Sequence, residues 1–270
     1  MLPSWIRRVA VRTPTLPPAT HTNVYVCGEA ELAVIDPASP YAEEQVALDA
    51  FLLGLSGQRV SMIVLSHHHV DHVSGANHLA ARLSVPIWAH PETKARLEGR
   101  VKIDHELDEG NRISLGAHTL DVLHTPGHAP GHICFADRTS GTLIVGDMVA
   151  SVGTIIVEPE DGGDMRAYLQ SLERLRQQKA RCLLPAHGDP IDDPDAHLSF
   201  YIAHRLEREA RVLAALALNP QSLDELVAPV YPDVASALYP LAKRSLFAHL
   251  IKLVGDERAY RDGDKFSIAR

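Results

Sequence analysis

A chain of 270 residues is long enough for one large domain, or for a large and a small one, each with its own core. Hydrophobic residues make up 46% and charged residues 22%, an ordinary globular balance, and no run approaches the ~20 apolar residues of a membrane-crossing helix. A formal net charge of -8 disfavours a broad, salt-driven grip on nucleic acid but leaves room for a local basic groove.

The N-terminus, from Met1 to Arg8, has no apolar h-region, so the expectation is a cytoplasmic protein. Strand-like runs at Val24 to Cys27 and Leu32 to Asp36 are separated by Gly28-Glu29-Ala30-Glu31 and read as a hairpin. Spaced apolar positions over 40 to 55 predict an amphipathic helix. The β-branched run Val60 to Leu65 then predicts a buried strand, and this strand, helix, strand order points to an α/β sandwich with helices over the sheet.

His67, His68, His69, Asp71 and His72 follow that strand directly. Residues two apart on an extended chain point the same way, so His67 and His69 can face one ion while His68 packs or meets solvent. Asp71 and His72 come after the chain has begun to turn and are placed for a second ion. A tag fragment would sit at a terminus, whereas this run lies behind a core strand, and imidazole with carboxylate at such spacing is the usual zinc donor set.

Ala76 to Leu83 reads as a helix, Val85 to Ala89 as a strand, and Pro91 to Leu97 as a short helix opened by its proline. Residues 99 to 111 are polar and turn-rich, which predicts a surface loop bordering the site. Short strands at 112 to 115, 120 to 124, 132 to 135 and 143 to 145 suggest a second sheet. Their ends return to the chemistry: His128 follows Thr125-Pro126-Gly127, Asp147 follows Gly146, and His187 follows Pro185-Ala186. His132 reads either as a group that orients a ligand or as a strand cap. His21 precedes a strand, in a plain or a substrate-facing loop. His78, His90, His105, His118, His197, His204 and His249 have no ligand context and read as ordinary surface or helix residues. Cys27, Cys134 and Cys182 lie in apolar runs, and their odd number argues against a disulfide framework or a thiolate zinc site.

A helix over 164 to 178 with Asp164 at its start, and a strand from 181 to 184, precede the Pro- and Asp-rich linker at 188 to 195. A domain boundary is expected there. Beyond it come a long helix with Glu207 and Arg211 paired, a capping box at Ser222 to Glu225, two helices over 235 to 242 and 245 to 254, and a hairpin around Asp262-Gly263-Asp264.

The H-x-H-x-D-H at 67 to 72, T-P-G-H at 125 to 128, G-D at 146 to 147 and P-A-H-G at 185 to 188 resemble the metallo-β-lactamase superfamily. Helices followed by a two-stranded wing resemble a winged-helix module, and together the two resemble the β-lactamase-like-2 family, one of whose members is a single-strand endoribonuclease. The resemblance implies an α/β fold, an αββα sandwich over 1 to 190, followed by a small winged-helix-like α+β domain over 191 to 270. It implies two divalent ions, zinc first with manganese or iron as alternatives: one held by His67, His69 and His128, the other by Asp71, His72 and His187, with Asp147 bridging. Asp71 would also accept the proton of the attacking water.

The reading is therefore a metal-dependent hydrolase whose hydroxide bridges two ions, acting on a small ester, thioester, lactone or amide, or on an RNA phosphodiester. Seven basic and seven acidic residues between Pro220 and Arg270 leave the C-terminal module neutral, unlike a free-standing DNA reader. A small molecule or single-stranded RNA is the expected partner, with no DNA or membrane, and with the module as a wall over the site or a self-association surface. Alternatives are a mononuclear iron sulfur dioxygenase and a winged-helix regulator with a vestigial metal site.

Overall fold

The structure is a computed structural model and describes residues Leu2–Ala269. Strands β1 (Ile6–Arg12), β2 (His21–Gly28) and β3 (Glu31–Ile35) pair antiparallel in succession. Helix α1 (Ala42–Leu53) then carries the chain back to β4 (Arg59–Leu65), parallel to β3. One helical turn, α2 (Val70–Val73), and α3 (Ala76–Leu83) lead to β5 (Ile87–Ala89), and α4 (Pro91–Arg96) leads to the two-residue β6 (His105–Glu106). These six strands form one sheet in the order β1-β2-β3-β4-β5-β6.

The second sheet is built from β7 (Arg112–Leu115), β8 (His118–His124), β9 (Ile133–Asp137) and β10 (Thr142–Gly146), antiparallel neighbours throughout. After α5 (Met165–Gln177), β11 (Cys182–Pro185) joins it parallel to β10, giving the order β11-β10-β9-β8-β7. Beyond lie α6 (Pro194–Leu216), β12 (Gln221–Ser222), α7 (Leu223–Val230), α8 (Tyr239–Gly255), β13 (Ala259–Asp262) and β14 (Lys265–Ile268), with the last strands in a sheet ordered β12-β14-β13.

Alternation decides what each sheet face buries. Tyr25, Cys27, Ala33, Ile35 and Val64 from the first sheet meet Ile113, Leu120, Val122, Phe135 and Leu184 from the second in one core. The opposite-facing Val24, Val26, Leu32, Val34 and Ile63 pack under Leu48 and Leu52 of α1 and Leu79 of α3. The three cysteines are buried and form no disulfide among the described residues. Among the described residues, no helix is long and apolar enough to cross a membrane.

Contacts divide the chain into two compact units. The first takes in residues up to Thr125, Gly131–Thr154 and Gln178–Asp195; the second takes Pro126–Pro130, Ile155–Gln177 and the chain from Ala196 onward. The C-terminal stretch of the second unit starts at Ala196, and the unit also takes in α5. Polar ties explain that grouping: Arg205 donates to the Ile155 carbonyl, Arg166 pairs with Asp256, and Arg244 pairs with Glu158 at 2.8 Å. Its apolar core joins Val212 and Leu216 of α6, Leu226 and Val230 of α7, Leu246, Leu250 and Leu253 of α8, and Phe266.

Several local expectations are met in this framework. Ala167 N–H donates to Asp164 Oδ1 at the start of α5, Arg211 donates to Glu207, and the capping box at Ser222 and Glu225 has both of its hydrogen bonds. Three need correction. Residues 99 to 111 are more than a polar loop, since Val101, Ile103 and Leu107 are buried and His105–Glu106 adds a strand to the first sheet. The two helices expected over 235 to 254 are one, α8, preceded by a 3-10 turn at Ser236–Leu238, because nothing at Lys243-Arg244 interrupts the helical hydrogen bonds. Strand β1 was not anticipated: the half-buried Arg7 and Arg8 obscure its alternation, their stems lying along the sheet while Arg8 reaches the Gly188 carbonyl and Asp189.

Candidate metal centre

Strands β4, β10 and β11 end at one edge of the first unit, and the edges of its two sheets are tied there by Ile133 N–H to Ser66 O at 2.9 Å and Tyr25 O–H to Pro185 O at 2.7 Å. His67 and His69 follow β4, and His69, in extended conformation, is the last residue before α2. The turn of α2, closed by His72 N–H to His69 O at 3.0 Å, swings Asp71 and His72 round to the same side. Gly146 ends β10 at φ +47°, where a Cβ would lie 2.6 Å from His132 Nε2, so only glycine lets the chain turn here and present Asp147. Pro185 is the register partner of Gly146, which brings His187 out beside Asp147.

The donor atoms converge. His67 Nε2 and His69 Nδ1 are 3.0 Å apart, close to the ~3.3 Å expected of two nitrogens on one tetrahedral zinc. Asp147 Oδ1 lies 3.5 Å from His72 Nε2 and 3.3 Å from His187 Nε2, and Asp71 Oδ2 lies 3.6 Å from His187 Nε2. Two sets, His67 with His72 and Asp147, and Asp71 with His72 and His187, each have ligand atoms within 4.8 Å of one another.

The chain also fixes how these imidazoles are protonated. His72 Nδ1–H donates to Asp36 Oδ2 at 2.9 Å, and His187 Nδ1–H donates to the His21 carbonyl at 3.0 Å. Ser66 O–H donates to Asp36 Oδ2 at 2.6 Å, so its oxygen accepts the Nδ1–H of His67 at 2.9 Å. Each of the three rings therefore turns an Nε2 lone pair inward, as an imidazole ligand must. His72 Nε2 is fully buried and has no hydrogen-bond partner among the described residues, which is costly unless a cation completes it. The residues fit a metal centre.

Charges follow the same geometry. Without a cation, burial opposes the shift, but Asp147, Asp36 and Asp71 hold the His72 pKa well above the usual histidine value; Asp147 raises that of His187 in the same way. A metal ion would take the place of the Nε2 protons and leave those lone pairs as donors. Burial would raise the Asp147 carboxyl, yet His187 and His72 hold it well below the carboxylate range.

His128 belongs to the second unit. Gly127 before it sits at φ +132°, where a Cβ would meet the Tyr168 backbone at 2.2 Å, and His128 Nδ1–H donates to the Ile156 carbonyl at 2.8 Å. Its Nε2 is thereby left as the lone-pair nitrogen.

Other histidines resolve as follows. His132 is fully buried: its Nε2 accepts the Asp147 N–H at 3.1 Å and its Nδ1–H meets Thr125 Oγ1 at 2.9 Å, so it holds the backbone of Asp147. His68 is buried and packs. His249 does lie in a helix, α8, but both it and His90 are buried rather than at the surface. His90 stacks on His124 at 4.1 Å and 14°, with Asp108 3.4 Å away. Parallel rings keep their in-plane lone pairs from converging, and His90 Nδ1 is already the acceptor for Glu92 N–H, so this trio does not read as an ion site. Sequence reasoning missed Asp36 and Ser66, whose roles arise only when two strands bring them together.

Residues 17–187 match the model of the Metallo-beta-lactamase superfamily. The chain belongs to that superfamily. Residues 222–267 of this metallo-β-lactamase-fold hydrolase match the Beta-lactamase associated winged helix domain. The Beta-lactamase-like protein 2 homolog of Drosophila melanogaster is 27% identical over 266 residues, covering 93% of this chain and 88% of its own. The Atrochrysone carboxyl ACP thioesterase AacuM of Aspergillus aculeatus is 29% identical over 198 residues, covering 72% of this chain and 59% of its own. A crystal structure of a Beta-lactamase domain protein from Burkholderia ambifaria shares the fold with a TM-score of 0.88 at 22% identity, over 100% of this chain and 93% of its own. Members of the superfamily typically bind metal ions, and the His and Asp clusters of this chain are of that kind.

Proposed function

We propose that this metallo-β-lactamase-fold hydrolase uses two divalent ions to cleave a small activated acyl substrate, a thioester or ester first. The observation that carries the reading is the inward array of Nε2 lone pairs on His67, His72 and His187 around the buried Asp147. His67, His69 and His128 would hold one ion, and Asp71, His72 and His187 the other, with Asp147 shared. When bound, such ions supply Lewis acidity toward a carbonyl and lower the pKa of water toward 7.

The chain's own residues do the rest. Asp36, Ser66, His21 and His132 keep the donors in one tautomer and one orientation, so little reorganisation accompanies the reaction. Asp71 is the candidate to take up a proton, its carboxylate 14% exposed and its Oδ2 3.6 Å from His187 Nε2. The thioesterase name of one relative and the acidic charge of this chain favour an acyl substrate over RNA. Zinc is the first choice of metal, and manganese and iron accept the same donors.

Metal analysis with a panel of thioester, lactone, phosphodiester and single-stranded RNA substrates tests the proposal. Two ions per chain and turnover of the thioester or ester are expected. His69→Ala and Asp147→Ala should each lose metal and lower turnover by at least ~100-fold, since loss of a group that merely orients a ligand already costs 10–100-fold. Full turnover by these variants with intact metal content, or cleavage of single-stranded RNA alone, overturns it.

A further inference from the structure

The short segment 155 to 158 is held at four consecutive residues by other parts of the second unit. Arg205 of α6, only 3% exposed, donates to the Ile155 carbonyl. The Ile156 carbonyl accepts from His128 Nδ1–H at 2.8 Å, and the Val157 N–H donates to Ser245 Oγ of α8 at 3.2 Å. The Glu158 carboxylate meets Arg244 of α8 at 2.8 Å.

Two of these bonds share one rigid body. The Ile156 carbonyl and the Val157 N–H belong to the same peptide unit, which partial double-bond character keeps planar, with its oxygen and hydrogen on opposite sides. Ser245 grips one side of that plane and His128 hangs from the other. The plane cannot tilt at one end without moving the other, and Arg205 anchors the peptide unit before it. Ser245 is itself 4% exposed, so water does not readily replace its oxygen as acceptor.

We infer that Ser245 and Arg205 are positioning residues for the metal ligand His128, acting through the Ile156–Val157 peptide plane. The inference rests on the reading of His128 as a ligand. It gives the C-terminal helices a task that needs neither nucleic acid nor a partner chain: they set the ring angle and tautomer of one donor. Loss of the Ser245 hydroxyl frees the plane, lets the His128 ring rotate, and weakens one ion while sparing the other.

The test loads the full-length chain with cobalt and with zinc and measures the two affinities by chelator competition, alongside the visible cobalt absorption. Ser245→Ala should lower the affinity for one ion about 10-fold or more and alter the cobalt spectrum. Ser245→Cys, with a weaker acceptor of nearly the same shape, should move both in the same direction by less; it decides the matter if the alanine variant does not fold. Lys243→Ala, which is on α8 as Ser245 is but removes only a surface pair with Asp224 of α7, should change neither. Parental affinities and spectrum in folded Ser245→Cys or Ser245→Ala, with His128→Ala losing one ion, sink the positioning role and leave the ligand reading standing. Two ions held with parental affinity by His128→Ala sink the ligand reading and the inference with it.

Discussion

Asp36 stands at φ +52°, a conformation few non-glycine residues adopt, and its two oxygens accept three bonds. Oδ1 takes the Ser66 N–H at 2.7 Å, and Oδ2 takes the Ser66 hydroxyl and His72 Nδ1–H. An asparagine there offers one acceptor and turns its NH2 toward a donor, leaving a buried clash. Asp36→Asn should weaken metal binding by 10–100-fold and destabilise the fold by about 1–3 kcal/mol, as read by chelator competition and denaturant unfolding. An unchanged affinity would show that His72 needs no orienting partner. The sequence shows the histidines of 67 to 72 plainly, because that donor set is local. It does not show Asp36, because Ser66 lies 30 residues further on and meets it only once β3 and β4 pair.

Helix α8 was legible as helix but not as one helix, and its most unusual residue was not legible at all. His249 is fully buried, and neither ring nitrogen has a hydrogen-bond partner among the described residues. Burial, then Arg205, Lys252, His204 and Arg208, hold its pKa well below the usual value. The unfolded chain therefore binds a proton that the folded chain refuses, so stability is complete above ~6.5 and declines as pH falls below it. His204, also held low by burial and by Arg205 and Arg208, acts in the same direction. Asp233, held far down by its hydrogen bonds to Arg208, contributes only in stronger acid, below ~4. His249→Leu should thus match or exceed the parent in stability at pH 7.5 and surpass it by a wider margin at pH 5.5, read as urea midpoints. Because raised values at His72 and His187 push the other way, the difference between the two proteins is the quantity that isolates His249. The two-residue strands β6 and β12 left no mark in the sequence, since alternation needs more than two positions to show.

At the scale of the molecule, the middle strands of the first sheet with their helices, the second sheet and the terminal hairpin were legible from apolar periodicity and turn residues, whereas β1, β6 and β12 were not. The grouping of α5 with the C-terminal helices was not, because it depends on charged and backbone contacts such as Arg166 with Asp256 and Arg205 with Ile155, between residues far apart in the chain. A neutral C-terminal module on an acidic chain is a poor basis for holding polyanions.

His67 and His72 leave the first sheet, whereas Asp147 and His187 leave the second. Cations seated among them would rivet the open rim of the sandwich, so occupancy and heat resistance should rise and fall together. Stripping the protein with a chelator is expected to lower its melting temperature and speed amide exchange at residues 66–69, 146–147 and 186–187, and saturating re-addition should restore both; at 100-fold excess over the dissociation constant one ion contributes about 2.7 kcal/mol. A melting point indifferent to chelation would mean that the rim is fastened by its own hydrogen bonds.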